Sequence, residues 1–305
     1  MDNTAIGKWL CNSFTQVPPG KSTEYTTIIQ KLYNRYKIDA IFPQSSNEVE
    51  ALSLLKEAQK LNIAVSSPQA VRTCLSKYST YATLEKNCGK WIPKWRPATN
   101  IDELREALEE LGYPDRPVVI KPPEGKGSRG VRIVKEMNRR ERERLLRYEK
   151  PAHKYITLEE LENTLDPENV GMLAVEYIEG QEKTVDCLCY NGTSLIMTVK
   201  TVERTRCGVI TRGTLVKDPE LEKATRHILK EIPLSYCINV QFIGNKLIEI
   251  NPRVSTIIDQ PDFYTPYLAI QIAAGKLDPD PENFKAYKPN IGRRMTRYMD
   301  MVTYK

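Results

Sequence analysis

Residues 121–131 read KPPEGKGSRGV, and their three glycines formally match the pattern G-x-G-x-x-G. In a dinucleotide-binding fold, such glycines end a strand and open a helix whose N-terminus holds the pyrophosphate. Here the β-prone stretch RPVVIKP (116–122) precedes the glycines, and VRIVKE (131–136), which also has strand character, follows them. A strand–glycine–strand arrangement instead predicts a hairpin flap whose backbone N–H groups can close over a polyphosphate.

Other phosphate-binding folds fit the sequence poorly. Protein kinases use a glycine-rich flap but also need H-R-D and D-F-G motifs. The chain has two histidines, His153 and His227, and neither is followed by Arg-Asp. The stretch PGKST (19–23) ends like a P-loop, but Thr15 stands where that motif needs its first glycine. These observations argue against a kinase and against a P-loop enzyme.

The composition is that of a globular protein. The chain has 305 residues, of which 40% are hydrophobic and 28% are charged. No run of about 18 apolar residues is present, and the opening MDNTAIGKWLCNSF lacks the basic start and apolar block of a secretory signal. We therefore expect a cytoplasmic protein with no membrane partner.

The cysteines and the charged residues suggest no metal cluster and no nucleic-acid site. The seven cysteines form no C-x-x-C pair, and Cys187 and Cys189 have the spacing of two same-face positions of a strand. Within 135–154, eight Lys and Arg residues stand against four Glu. This segment is either a patch for an anionic partner or a solvated helix face. We favour the helix face because the glutamates interleave and no aromatic ladder accompanies the charges, so nucleic acid is disfavoured as a partner.

The first hundred residues alternate between strand and helix patterns. IDAIFP (38–43) and IAVSS (63–67) are apolar runs on either side of a stretch with helical periodicity (45–62), which predicts α/β structure with parallel strands. A second helix is predicted over 68–87, and a third over 101–112 after a proline-containing connection.

The stretch INVQFIGNKLIEINPR (238–253) predicts a second hairpin, with Gly and Asn at its turn. A two-residue turn would pair Gln241 with Ile248 and mix polar with apolar side chains on one face. A three-residue loop at 244–246 separates the two kinds of side chain, so we predict that register.

In the predicted register, Gln241 lies opposite Glu249 and Asn239 lies opposite Asn251. The apolar side chains then share the other face of the hairpin: Val240, Phe242, Ile248 and Ile250. Carboxylate and amide oxygens are the ligands that Mg²⁺ prefers, so the polar face is a candidate metal site. Arg253 follows directly and has the fork geometry that binds a phosphoryl or carboxylate group.

Five stretches, in this order along the chain, resemble the ATP-grasp superfamily, in particular the large subunit of carbamoyl-phosphate synthase and its stand-alone relatives: DAIFPQSSNEVEAL, CLSKYST, GYPDRPVVIKPPEGKGSRGV, VEYIEGQEKTVDCL and NVQFIGNKLIEINPRVST. The resemblance covers residues 35–275. It implies α/β and α+β structure in an ATP-grasp fold of three domains. These would be an abbreviated pre-ATP-grasp domain (1–92), a small lid subdomain (93–174) and a larger catalytic subdomain (175–305), with ATP held between the last two.

The resemblance also implies an ATP site, residue by residue. Lys77 and Lys121 match the family's phosphate-contacting lysines. The flap would consist of Gly125, Gly127, Ser128, Arg129 and Gly130. The adenine and ribose would meet Glu176, Tyr177, Ile178 and Glu182.

The same resemblance assigns metal, catalytic and substrate roles. Gln241, Glu249 and Asn251 match the family's metal ligands, with Gln where many relatives have Asp or Glu. The implied cofactors are ATP and Mg²⁺ or Mn²⁺. Lys121 and Arg253 would be catalytic, and the substrate carboxylates would meet Arg206, Arg212 and Arg253.

Together these features predict an ADP-forming carboxylate–amine ligase that acts through an acylphosphate on a small carboxylate and an amine. Two alternatives stay open: phosphorylation of bicarbonate or carbamate, as in carbamoyl-phosphate synthase, and a non-catalytic ATP-binding regulatory protein.

The chain begins at MDNTAIGKWLCNSFTQVP, where the family usually has a preceding strand, turn and helix, so we expect a short first domain or a truncated start. It carries one ATP-grasp unit where the synthase subunit has two, which favours the ligase. A homodimer is compatible with this interpretation.

Overall fold

The structure, a computed structural model, describes residues 5–125, 129–149, 154–206, 209–255, 263–298, 301 and 303. Within these residues the chain forms nine α-helices: α1 (Tyr25–Tyr36), α2 (Ser46–Gln59), α3 (Pro68–Leu75), α4 (Lys77–Cys88), α5 (Ile101–Glu110), α6 (Arg139–Tyr148), α7 (Leu158–Glu162), α8 (Pro219–Glu231) and α9 (Thr265–Ala273). Short 3₁₀ helices cover Ile6–Trp9, Gly89–Trp91 and Pro281–Phe284. Among the residues just given, no helix is both long and apolar enough to cross a bilayer.

The same residues form twelve strands: β1 (Trp95–Ala98), β2 (Val118–Lys121), β3 (Arg132–Val134), β4 (Tyr155–Ile156), β5 (Met172–Glu176), β6 (Glu182–Tyr190), β7 (Thr193–Thr201), β8 (Arg204–Arg206), β9 (Val209–Val216), β10 (Tyr236–Ile243), β11 (Lys246–Asn251) and β12 (Arg294–Thr296).

The chain divides into two compact units. Unit 1 comprises Met1–Leu75, Glu182–Phe242 and Glu249–Lys305, and unit 2 comprises Ser76–Gln181 and Ile243–Ile248. Unit 2 contains the whole segment predicted as the lid and, in addition, residues 76–92. The three domains expected from the sequence, with boundaries after residues 92 and 174, remain a prediction.

Unit 2 is built on a five-stranded sheet of order β1-β5-β2-β3-β4. β2 and β3 are antiparallel neighbours, with Val118 opposite Val134 and Ile120 opposite Arg132. This confirms the predicted strand–glycine–strand arrangement. Helix α5 packs on β1 and β5 and buries Leu104, Ala107 and Leu108, because a spacing of three and four residues keeps side chains on one helix face.

Unit 1 is built on a seven-stranded sheet of order β11-β10-β6-β7-β9-β12, with β8 paired to β9. Helix α8 packs on β6 and β7. Apolar side chains from the sheet and from α9 form one core cluster with Phe263 and Phe284: Leu188, Ile196, Tyr236, Cys237, Leu268, Ala269, Ile272 and Ala273.

The strands predicted at 38–43 and 63–67 are shorter than expected. The structure has a single parallel bridge there, between Ile41 and Ile63. The parallel direction is therefore right, but the length is wrong. Proline ends both segments: Pro43 lacks an N–H for a further ladder bond, and Pro68 starts α3.

The helix predicted over 68–87 is two helices in the structure. α3 ends at Leu75 and α4 begins at Lys77, because Ser76 adopts an extended conformation and caps α4 with its hydroxyl oxygen, which accepts a hydrogen bond from the Ser79 N–H (3.2 Å). Helical periodicity continued across the break, so it did not reveal the cap.

The loop between β10 and β11 is also shorter than predicted. β10 ends at Ile243 and β11 begins at Lys246, which leaves two residues, and Gly244 has a φ of +57° that suits a tight turn. Val240, Phe242 and Ile250 are buried as expected, but Leu247 is buried and Ile248 is only half-buried. Leu247 and Ile250 are three residues apart, so the regular alternation of a strand changes phase between them. The predicted pairing of polar residues assumed no such change.

The hairpin of β6 and β7 turns at Asn191 and Gly192, whose φ angles are +44° and +80°. Tyr190 pairs with Thr193, so these two residues form the whole loop. Asn-Gly is the sequence that most favours this kind of turn, since it tolerates positive φ at both positions. A Cβ at residue 192 would lie 2.7 Å from the carbonyl oxygen of Leu229.

We predict that Gly192→Ala lowers the free energy of unfolding by about 1–3 kcal/mol, because alanine is strained at positive φ and meets the Leu229 carbonyl. Urea unfolding followed by circular dichroism measures this change. Gly89→Ala is the matched control, since Gly89 has a φ of −52° and no neighbour within 4 Å of an added Cβ. Equal stability of the two variants would contradict the prediction.

Candidate functional site

Lys121, the last residue of β2, has a buried ammonium group held by oxygen atoms of unit 2. The residue is 4% exposed, and its Nζ donates a hydrogen bond to the hydroxyl of Tyr81 (2.7 Å). Nζ also lies 3.5 Å from the Ile248 carbonyl oxygen and 4.9 Å from the centre of the Tyr81 ring. Sequence reasoning identified the lysine but missed Tyr81.

Tyr81 is itself fixed from two sides. It is fully buried in α4, and its hydroxyl lies 3.3 Å from the carbonyl oxygen of Leu247 and 3.2 Å from that of Ile248 in β11, so its one proton is shared between them. Its ring lies 5.8 Å from that of Trp95. Because the hydroxyl accepts from Lys121 and donates to β11, it sets the position of the lysine ammonium group.

Lys77, the first residue of α4, forms hydrogen bonds with the start of the glycine loop. Its backbone N–H donates to the Pro123 carbonyl (2.8 Å), and its Nζ donates to the Gly125 carbonyl (3.2 Å). The side chain is 9% exposed. Both sequence-predicted lysines are therefore buried cations of unit 2, and one of them contacts the predicted flap.

The described ends of the predicted flap converge on Pro122. A Cβ on Gly125 would lie 3.3 Å from the Pro122 ring, and one on Gly130, which has a φ of +74°, would lie 3.0 Å from it. Arg129 is exposed. Gly127 and Ser128 lie outside the described residues.

The residues predicted to meet adenine lie at the end of β5 in unit 2. Glu176 exchanges two bonds with Lys94: its backbone N–H donates to the Lys94 carbonyl (2.9 Å), and its carboxylate accepts from the Lys94 N–H (2.8 Å). Tyr177 is exposed and Ile178 is half-buried. Glu182, predicted to meet the ribose, is half-buried at the start of β6 in unit 1. The contacts of Glu176 fix the end of β5, and the nucleotide roles of all four residues remain predictions.

Unit 1 holds a buried polar cluster that sequence reasoning missed. Lys200 is 1% exposed and forms an ion pair with Asp186, and its Nζ also donates to Ser255 Oγ (3.0 Å). Asn239 is 3% exposed and donates from Nδ2 to Asp186 (2.8 Å) and to Thr184. The signal in the sequence was that Asp186 and Lys200 each directly follow a valine within a mainly apolar stretch of strand, since charges are rarely buried without a partner.

The predicted metal ligands join this cluster in unit 1. Gln241 Nε2 donates to Asn239 Oδ1 (3.4 Å). Asn251 is buried, and its Oδ1 accepts from Arg253 Nη2 (3.2 Å). Arg253 is further held by the Ser46 hydroxyl (3.3 Å) and the Val254 carbonyl (2.8 Å).

Arg253 also lies within electrostatic reach of two carboxylates. Burial lowers the pKa of Arg253, and the negative charges of Glu249 and Asp186 oppose that shift. The structure therefore places Glu249 and Asn251 near Arg253, and it links Gln241 to Asp186 through Asn239. It adds Asp186 to the set.

The donor chemistry of this cluster fits a magnesium ion. The available ligands are carboxylate and amide oxygens, which a hard cation prefers. The Asp186 carboxylate bonds to Lys200 and Asn239, whereas the Glu249 carboxylate interacts with Arg253 only through its charge and forms no hydrogen bond or ion pair within the described residues. Glu249 is thus the carboxylate with oxygen lone pairs to spare, and Gln241 and Asn251 supply neutral oxygens. Across the described part of the chain, no three His, Cys, Asp or Glu residues form a metal cluster, so amides are needed to complete a ligand set.

The predicted substrate arginines of β8 and β9 lie on an exposed part of the unit 1 sheet. Arg212 on β9 lies opposite Arg204 on β8, and the Arg212 Nε lies 3.2 Å from the Glu203 carboxylate. Arg206 is exposed on β8. Arg294 of β12 lowers the pKa of Glu203 together with Arg212, after the larger effect of the Thr214 hydroxyl, so it belongs to the same basic surface. Sequence reasoning missed Arg294.

The fold defined by these two units is the ATP-grasp fold, as expected from the sequence. Residues 168–291 match the profile of a family described as ATP-grasp in the biosynthetic pathway with Ter operon. A search of curated protein sequences found no match.

Solved structures support the same fold. N5-carboxyaminoimidazole synthetase from Staphylococcus aureus, complexed with ADP, has a TM-score of 0.62 and 16% identity over 92% of this chain and 70% of its own. L-amino acid ligase from Bacillus licheniformis has a TM-score of 0.60 and 15% identity, over 90% and 66%. The biotin carboxylase domain of 2-oxoglutarate carboxylase from Hydrogenobacter thermophilus, in complex with MgADP, ADP and bicarbonate, has a TM-score of 0.64 and 19% identity, over 92% and 64%. The chain thus spans 64% to 70% of the length of these structures.

We predict that Lys200→Met lowers the free energy of unfolding by about 3 kcal/mol, because it leaves the carboxylate of Asp186 buried without its cation. Denaturant unfolding measures the change. Lys183→Met is the control: Lys183 pairs with Asp218 (2.8 Å), but Asp218 keeps a second partner in the Leu221 N–H, so we expect a loss of about 1 kcal/mol or less. A wild-type unfolding midpoint for Lys200→Met would refute this account of the cluster.

Proposed function

We propose that the protein is an ATP-dependent carboxylate–amine ligase that forms an acylphosphate and releases ADP and phosphate. The observation that carries the proposal is the buried ammonium group of Lys121, fixed by Tyr81 at the end of the strand that leads into the glycine loop of an ATP-grasp fold. Lys121 ends the strand that leads into the glycine loop, so its positive charge lies where a polyphosphate held by that loop would need it. Two similar folds are named as a synthetase with ADP and as an amino acid ligase, which supports this choice.

In this proposal the polyphosphate of ATP binds Lys77, Lys121 and the backbone N–H groups of the flap. The adenosine meets Glu176, Tyr177, Ile178 and Glu182. Positioning and charge neutralisation account for most of the catalysis of phosphoryl transfer, so the site needs no protein nucleophile. Lys121 has a catalytic role because its charge opposes the negative charge that spreads over the transferred phosphoryl group.

Gln241, Glu249 and Asn251 would hold Mg²⁺, or Mn²⁺ in its place. When bound, the cation supplies positive charge to the phosphate oxygens. Glu249 is the ligand on which the proposal rests most, since its carboxylate has no other partner among the described residues. The biotin carboxylase domain that shares the fold was solved with MgADP, which supports a magnesium nucleotide here.

Arg253 would orient the substrate carboxylate for attack on the γ-phosphorus, and Arg206 and Arg212 would bind further carboxylates of the substrate. Carboxylate oxygen attacks phosphorus, the bond from phosphorus to the β-bridging oxygen breaks, and ADP leaves. The amine then attacks the acyl carbon and phosphate leaves. Arg253 is held by Ser46, Asn251 and Val254, so its guanidinium is oriented before substrate arrives.

The proposal places the enzyme in the cytoplasm, where ATP and magnesium are available. A homodimer is also proposed, since one domain with this fold is described as a dimer. Sedimentation at several protein concentrations tests the assembly.

We predict that the protein with Mg²⁺ and ATP releases ADP and phosphate when pools of small carboxylates and amines are supplied together. Coupled ADP detection and phosphate detection measure the release. Stimulation by bicarbonate alone would instead indicate the phosphorylation of bicarbonate or carbamate. Tight ATP binding with no release from any mixture would indicate a non-catalytic ATP-binding protein.

We predict that Glu249→Ala lowers magnesium-dependent ADP release at least tenfold, because it removes the one carboxylate among the proposed ligands. Steady-state rates at several Mg²⁺ concentrations measure the effect, and part of the loss should be recovered at high Mg²⁺. Glu106→Ala, on the exposed face of α5, is the control and should retain the wild-type rate. A Glu249→Ala enzyme that turns over normally would rule out this metal site.

A further inference from the structure

Unit 1 contains a cavity of about 440 Å³ that the proposed ligase site does not use. Its walls come from the C-terminal half of α2, the segment that leads into α3, the turn of the β6–β7 hairpin and the residue before β10. The polar side chains that line it include Lys56, Lys60, Ser67, Asn191 and Ser235. The volume falls within the usual range for small-molecule sites, which is roughly 300–1,000 Å³.

This cavity lies at the other end of the strands that carry the Asp186 cluster. Tyr190, which lines the cavity, is four residues beyond Asp186 on β6, and Ser235 is four residues before Asn239 on the approach to β10. At about 3.3 Å per residue, each separation is about 13 Å. A ligand in the cavity would therefore not be one that occupies the proposed magnesium site.

Lys56 supplies a fixed cation at the wall. Its Nζ donates to the Val65 carbonyl (2.8 Å) and to the Tyr236 hydroxyl (3.3 Å), and it lies 4.5 Å from the centre of the Tyr236 ring. An ammonium group has three donors, so one is left for a ligand. Burial lowers the pKa of Lys56 to about 8, and an anion beside it would favour the charged form.

The other lining groups add hydrogen-bond donors. Lys60, the residue that follows α2, also lines the cavity. Ser67 Oγ accepts from the Ala70 N–H (3.3 Å), which leaves its hydroxyl proton to donate. Asn191 Oδ1 accepts from the Ser235 hydroxyl (3.2 Å), which leaves the amide nitrogen of Asn191 as a donor.

The side chains that line the cavity include few acidic groups. Glu57 is the one acidic residue among the groups that line the cavity, and it is exposed to solvent. Two lysines and at least two neutral donors thus face one carboxylate. The excess of positive charge and of donors favours a ligand that carries negative charge.

We propose that this cavity is a second ligand site that binds a small organic anion, whose carboxylate or phosphate group pairs with Lys56 and Lys60. Tyr190 and Leu61 would cover the apolar part of the ligand. The site does not depend on the proposed ligase activity, since none of its residues belongs to the ATP or metal set.

Pyridoxal 5′-phosphate is a suitable probe because it carries an anion and an aldehyde. The aldehyde condenses with a neutral lysine amine to an imine and releases water, and borohydride then reduces the imine to a stable secondary amine. At pH 8 about half of the Lys56 side chains are neutral. We expect saturable imine absorbance, and after reduction, peptide mass spectrometry should locate the label on Lys56.

Matched variants and competitors complete the experiment. We expect Lys56→Gln to abolish the label in this peptide, Lys60→Gln to weaken the apparent affinity at least threefold, and Lys31→Gln on the exposed face of α1 to change nothing. Label on Lys77 or Lys121 should disappear when ATP is added, whereas label on Lys56 should persist. Competition by inorganic phosphate would identify a phosphate site, and competition by succinate a carboxylate site.

Two results would overturn the proposal. One is labelling of Lys56 that does not saturate, or that neither anion reduces in the wild-type protein. The other is an unchanged affinity in Lys60→Gln, a variant that removes one charge at an exposed position and should fold normally. Thermal unfolding of each variant separates loss of the site from loss of the fold.

Discussion

A charged group can be buried in a protein only if oxygen atoms or an opposite charge replace the water that it loses. This constraint accounts for the polar arrangement of both units. In unit 1 the ammonium group of Lys200 is almost fully buried and is balanced by Asp186 and Ser255. Asp186 accepts a hydrogen bond from Asn239, and Asn239 in turn accepts one from Gln241. The buried ion pair is therefore connected, through Asn239, to Gln241, one of the proposed metal ligands.

In unit 2 the buried cation is Lys121. The ammonium group is placed by a tyrosine hydroxyl and by a backbone carbonyl of β11. These oxygens hold the ammonium group at the end of the strand that leads into the glycine loop, where its charge can attract a bound polyphosphate. Both lysines are buried, but the ion pair with Asp186 makes Lys200 a structural residue, whereas the position of Lys121 before the glycine loop makes it a candidate for catalysis.

The sequence predicted most of the elements and several of the site residues. The strand–glycine–strand pattern excluded a dinucleotide-binding loop, and β2 and β3 have that arrangement. Lys77 and Lys121 were identified from the resemblance, and both are buried. Ser76 was not recognised as a helix cap, because apolar residues continue at helical spacing on both sides of it. The β10–β11 loop was predicted one residue too long, because an unbroken alternation of apolar and polar side chains was expected along β11, whereas the burial of Leu247 and Ile250 shows that the alternation changes phase.

What the sequence by itself determined is local structure: the approximate places of the strands and helices, and the glycines and prolines at which several of them end. These features depend on neighbours within a few residues, where backbone conformation and side-chain spacing decide the outcome. Tertiary structure decided which charges are paired. Asp186 and Lys200 are fourteen residues apart, Tyr81 and Lys121 are forty, and Lys56 and Tyr236 are one hundred and eighty. Only the folded chain brings such groups within hydrogen-bond distance, and the loss of water on burial makes each of those contacts matter for stability and for binding.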